Sequence, residues 1–127
     1  MRAYKRDHPR IKKPLEVEII VSGNKTLFAT TYDFSKQGIQ ILCDAITVRD
    51  IFGGSNQSLQ PKLPMVIMKL KLDHSNRQAE HIEAECKAIF SRRVSEREYR
   101  IGFAIHSLSE PSRKMFERFV TECFEHN

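Results

Sequence analysis

The stretch TLFATTYDFSKQGIQILC, from Thr26 to Cys43, decides the fold. TLFATTY (Thr26–Tyr32) is rich in β-branched and aromatic residues, and GIQILC (Gly38–Cys43) alternates apolar and polar positions. Both read as strands. Between them Asp33, Ser35 and Gly38 form the spacing D-x-S-x-x-G. Taken alone this is a reverse turn, in which Asp and Ser bond their own backbone and Gly supplies a positive φ.

Working outward, LEVEIIV (Leu15–Val21) sets Leu15, Val17, Ile19 and Val21 against Glu16, Glu18 and Ile20, and SGNK (Ser22–Lys25) joins it to the next strand as a hairpin. Downstream, MVIMKLKLD (Met65–Asp73), IEAECKAIF (Ile82–Phe90) and EYRIGFAIH (Glu98–His106) repeat the two-residue period. The second of these puts Phe90 on the core side with Ile82, Ala84, Cys86 and Ala88. The polar segment from Asp44 to Pro64 is long for a connection in a small domain, so it carries either a short helix near Ile46–Phe52 or a function. After Ser109, an N-cap with Pro111 in the first turn, the period changes: Phe116, Phe119, Val120, Cys123 and Phe124 make one helical stripe. Six antiparallel strands and a terminal helix imply a mainly β fold, a six-stranded barrel with a C-terminal α-helix. Closure is expected because it removes exposed strand edges.

A chain of 127 residues with 40% hydrophobic content suits one globular domain. Its most apolar stretch, Leu63–Leu72, is broken by Lys69 and Lys71, so no membrane insertion is expected. The basic N-terminus lacks a following apolar segment and does not read as a signal peptide. Cys43, Cys86 and Cys123 are odd in number and far apart, and read as free thiols in a reducing cytoplasm. The net charge of +5 is concentrated. Arg2, Lys5, Arg6, Arg10, Lys12 and Lys13 crowd the start, and SRRVSEREYR (Ser91–Arg100) forms a second basic cluster. Such clusters either solvate a surface or meet an anionic partner.

Enzyme readings find little support. Ser35 lacks a nucleophile-elbow setting, and there is no Walker or dinucleotide-binding glycine pattern. The pairs His81/Cys86 and Cys123/His126 are each too few for zinc. No catalytic residue, metal or cofactor is therefore expected.

The stronger signal combines R-x-x-x-R (Arg6, Arg10) in the basic arm with D-x-S-x-x-G one hairpin later; Arg2 and Arg6 form an overlapping copy. Together with YRIGFAI (Tyr99–Ile105), whose glycine is Gly102, they resemble the PilZ domain family of bacterial cyclic di-GMP (c-di-GMP) receptors. The resemblance covers nearly the whole chain. It implies an arm over 1–14 and a barrel domain over 15–127, with Arg6, Arg10, Asp33, Ser35 and Gly38 as ligand-binding residues. It also implies a cytoplasmic, non-catalytic receptor whose arm orders on binding and signals to a protein partner. Arg2, Lys5, Phe90, Arg92 and Gly102 are additional candidate contacts, although the strand pattern alone places Phe90 in the core and Arg92 on the surface. The residue types suit the ligand. Arginine's fork fits phosphate or the O6/N7 edge of guanine, Asp33 accepts from guanine N–H groups, and Gly38 leaves room for close approach. The alternatives are a nucleic-acid-binding barrel, against which the carboxylate of Asp33 argues, and a ligand-free PilZ-type scaffold.

Overall fold

Apolar residues at every second strand position must face a shared interior, and the pairing of the strands provides one. The computed structural model describes residues 9–53, 63–75 and 77–125. Among these, β1 (Glu16–Val21), β2 (Lys25–Phe34), β3 (Gly38–Cys43), β4 (Met65–Leu72), β5 (Glu80–Arg93) and β6 (Tyr99–Leu108) close into a barrel in the order β1-β2-β3-β6-β5-β4. All pairs are antiparallel. The inward rows read directly from the register: Leu27–Ile19–Met68–Ala84, and Ile41 beside Ile101.

The first hairpin turns at Gly23 and Asn24, with φ of 88° and 67°, and Asn24 N donates to Val21 O at 3.0 Å. Glycine and asparagine are the residues that adopt this backbone at least cost. The expected short helix is present as α1 (Ala45–Phe52). Its N-cap Asp44 accepts from Thr47 N at 2.9 Å, and it buries Ile51 and Phe52.

Helix α2 (Glu110–Glu125) leaves β6 at the end of the barrel opposite the one where α1 leaves β3. Ser109 caps it as expected, with Oγ accepting from Ser112 N at 3.3 Å. Phe116, Phe119 and Val120 are buried, and the two phenylalanine rings lie 6.1 and 5.9 Å from that of Phe34. The stripe weakens toward its end: Cys123 is half-buried and Phe124 is exposed. Polar contacts hold the outer side of the helix. Arg118 reaches Glu80 at 3.0 Å, His74 Nε2 lies 2.9 Å from Glu80 Oε1, and Arg77 meets Glu122 at 3.4 Å. Burial pushes the Glu80 carboxyl up, but hydrogen bonds and charge from His74 and Arg118 outweigh it and hold the group below its usual value. All three cysteines are free, and burial raises the thiols of Cys43 and Cys86 to about 12, leaving both protonated and inert.

Candidate functional site

Strict alternation would place Asp33 on the same side as Thr31, inside the barrel. A bulge prevents this. Thr31 pairs with Ile41 and Asp33 with Gln40, leaving Tyr32 as an extra residue in β2. Asp33 therefore shares the outer face with Gln40, while Phe34 resumes the inward pattern opposite Ile39. Bulges of this kind re-aim side chains at functional sites.

The chain segment ahead of β1 then covers what the bulge turns outward. Ile11 forms an isolated bridge to Phe34, with Ile11 N donating to Phe34 O at 2.8 Å and Phe34 N to Ile11 O at 3.0 Å. Thr31 ties down the same strap from the other side of the bulge. Its N–H donates to Leu15 O at 3.0 Å, its Oγ1 accepts from Leu15 N at 2.9 Å, and its hydroxyl donates to Lys13 O at 2.6 Å. The resulting strap, Ile11 to Leu15, fixes the position of Arg10.

Arg10 lies over the D-x-S-x-x-G turn. Nε and Nη2 both donate to Asp33 Oδ1, at 2.9 and 2.8 Å, in a partly buried charge-assisted pair. Nη1 reaches Ser35 Oγ and Nη2 the Gly38 carbonyl, each at 3.4 Å. The turn itself closes through Ser35 N to Gly38 O at 2.8 Å, and Ser35 Oγ also accepts from Gln37 N at 3.3 Å. Gly38 is not among the positive-φ residues, which corrects the expectation for a simple turn. Its requirement is space: a Cβ would stand 3.0 Å from the Phe103 carbonyl and 3.7 Å from Arg10 Nη1. Asp33 and Ser35 are 5% and 2% exposed, so the turn presents them beneath Arg10 rather than openly to solvent.

The outer wall continues across the sheet. The row Asp33–Gln40–Gly102–Phe90 runs through β2, β3, β6 and β5. Here the core expectation for Phe90 is corrected. A register shift between Ala88 and Phe90 adds one residue to β5, so Phe90 pairs with Gly102 on the outer face and is 39% exposed. Gly102 makes room for its ring, since a Cβ there would fall 2.3 Å from Phe90 Cε2. In the neighbouring row Arg92 pairs with Arg100, and the Arg100 guanidinium reaches over β3 to lie 4.4 Å from the Tyr32 ring centroid. Lys12 Nζ lies 5.1 Å from the same ring. The Tyr32 phenol is pulled below its ordinary value by its hydrogen bond to Lys12 and the positive charge there, with Arg100 adding to the effect. Arg93 has a different use: it donates to the carbonyls of Ser95 and Glu96 at 3.1 Å and stitches the β5–β6 turn.

Of the sequence candidates, the structure thus brings Arg10, Asp33, Ser35 and Gly38 together and sets Gly102, Phe90 and Arg92 on the same outer wall. Arg2, Lys5 and Arg6 lie outside the described residues. Thr31, Tyr32 and Arg100 join the site without a sequence signal of their own. Thr31 reads in the sequence as one more β-branched strand residue, and Arg100 as one more charge in a basic cluster. No group of three or more potential metal ligands exists among the described residues, and no described helix is long and apolar enough to cross a membrane.

A family model described as "PilZ domain" matches residues 4–122. No curated protein sequence matches the chain. Among solved structures, the Bacillus subtilis inhibitor of motility (MotI/DgrA) aligns with a TM-score of 0.71 at 13% identity, covering 99% of this chain and 53% of that one. The PilZ domain of Escherichia coli YcgR with c-di-GMP aligns at 0.61 and 15% identity, covering 97% and 94%. Borreliella burgdorferi PlzA in complex with c-di-GMP aligns at 0.55 and 15% identity, covering 89% and 52%. The chain therefore spans about half the length of the MotI/DgrA and PlzA chains. At these identities the likeness establishes the fold.

Proposed function

The chain belongs to the PilZ domain family, and on that premise we propose that it is a non-catalytic receptor for c-di-GMP. The observation that carries this reading is the placement of Arg10 on Asp33, Ser35 and the Gly38 carbonyl by a strap bonded on both sides of a strand bulge. A buried carboxylate locked to a guanidinium on the outer face of a barrel is no part of the apolar core. It pre-organises a donor fork and an acceptor for a ligand that offers both complements. Guanine does: N1–H and N2–H suit the remaining lone pairs of Asp33, and the phosphates suit arginine. The YcgR and PlzA structures described as complexes with c-di-GMP share this fold, which supports the same ligand class. Arg6 is proposed as the second arginine of the motif, Arg2 and Lys5 as further contacts of the arm, and Phe90 as a ring for a base to stack on.

The route to a partner runs through the strap. Ile11 bridges Phe34, whose ring packs against Phe116 and Phe119 of α2. Engagement of the arm by ligand is thereby coupled to the helix that a partner protein reads. Isothermal titration calorimetry with c-di-GMP, with GMP as control, tests the receptor reading. Saturable heat is expected for the folded wild type with c-di-GMP only, and its absence overturns the reading. A nucleic-acid-binding barrel would instead show steeply salt-dependent retention of many sequences.

A further inference from the structure

Arg100 is a guanidinium whose contact on the Tyr32 ring leaves it without a carboxylate partner among the described residues, and its Nε is buried without a hydrogen-bond partner there. It also stands directly opposite Arg92 in the β5–β6 register, a like-charge juxtaposition that weakens the sheet. An outside acceptor would relieve this arrangement. The direction of the side chain identifies the acceptor. Arg100, whose Cα pairs with Leu42 of β3, brings its guanidinium over Tyr32 in a cation–π contact at 4.4 Å. Tyr32 immediately precedes Asp33, so the donor fork rests on the residue next in the chain to the acceptor carboxylate, and both belong to the same outer wall.

We infer that Arg100 is a specificity-determining ligand residue that reads the O6/N7 edge of a guanine whose N1–H and N2–H face Asp33, with Tyr32 as the platform that positions it. This inference rests on the c-di-GMP reading above. Guanine presents donors and then acceptors in sequence around its rim, which matches a carboxylate beside a guanidinium. A phosphate fits Arg100 alone and would be repelled by Asp33.

The test is calorimetric binding of c-di-GMP and of its 7-deaza analogue, in which each guanine N7 becomes C–H, to wild type, Arg100→Lys and Tyr32→Leu. Arg100→Lys keeps the charge and loses the fork. It should weaken c-di-GMP binding about ten- to a hundredfold with an unchanged melting temperature, and Tyr32→Leu should weaken it less. The penalty for the 7-deaza analogue should be severalfold smaller in Arg100→Lys than in wild type, because the atom removed no longer has its partner. Equal penalties in the two proteins, or Arg100→Lys binding as wild type does, overturn the inference while the receptor reading stands. Failure of wild type to bind c-di-GMP overturns both.

Discussion

The barrel has two outer walls that obey different rules. On the wall made by the first half of β2, β1, β4 and the facing part of β5 the β1–β2, β1–β4 and β4–β5 registers are unbroken, and Phe28, Glu18, Lys69 and Glu83 follow one another as a surface row. Its charges alternate, Glu16 and Lys71 approach only to 3.9 Å, and Phe28 is 73% exposed. Screened pairs of this kind contribute little to stability. The wall made by the end of β2, β3, β6 and the end of β5 carries bulges at Tyr32 and between Ala88 and Phe90, and the β5–β6 pairing shifts once more between Glu85 and Cys86. The bulges at Tyr32 and before Phe90 turn outward residues that alternation would bury, a carboxylate on β2 and an aromatic ring on β5, whereas Cys86 stays buried across the remaining shift. The regular wall encloses the core. The bulged wall departs from the same pattern at the positions where polar and aromatic groups are gathered.

That contrast predicts unequal responses to mutation. The largest effect belongs to the residue linking the bulged wall to the core. Phe34→Ala, which removes a fully buried ring between strap and helix, should cost about 3–5 kcal/mol in urea denaturation. Phe28→Ala on the regular wall should cost about 0.5 kcal/mol or less. Next, Asp33→Ala leaves the Arg10 guanidinium without its partner. It should cost about 1.5–3 kcal/mol and abolish detectable c-di-GMP binding, whereas Glu18→Ala should change neither measurement beyond about 0.5 kcal/mol. Smaller again is Thr31→Val, which removes the hydrogen bonds to Leu15 N and Lys13 O. A loss of about 1–2 kcal/mol is expected, together with weaker c-di-GMP binding, because the strap that holds Arg10 is loosened.

The smallest effect is in the acid limb. Glu80 is held below its usual 4.5 in the folded state, so its contribution is present above that value and is lost as pH falls through the lower folded value. The urea midpoint should therefore fall with acidification over that window. Glu80→Gln should flatten this part of the profile, and the position of Asp33 on the bulged wall should be unaffected.

Much of the fold is legible in the sequence because alternation is a direct imprint of a two-faced strand. Val17, Ile19, Met68, Leu70, Ile82 and Ala84 all lie inside as their spacing requires. The α2 stripe is equally plain until Phe124, which is exposed. Bulges are not legible. A single inserted residue leaves no compositional trace, yet it reverses every later side chain, which is why Phe90 looks like core and is not. The same blindness conceals why Asp33 faces outward at all. Arg10, Asp33, Ser35 and Gly38 are recognisable by type and spacing, but their mutual contacts depend on the Thr31 strap, and hydroxyl bonds to distant backbone are invisible to local pattern. Arg100 and Tyr32 are far apart in sequence and meet only because β3 lies between their strands.

The central claim, that the bulged wall and not the regular one receives c-di-GMP, is tested most directly by backbone amide chemical shifts of the protein titrated with c-di-GMP. Shifts should concentrate at Arg10–Ile11, Tyr32–Gly38, Phe90 and Arg100–Gly102, while Glu18, Phe28 and Lys69 stay in place and GMP moves none of them. Shifts centred on Glu18, Phe28 and Lys69, or none at saturating ligand, would contradict it.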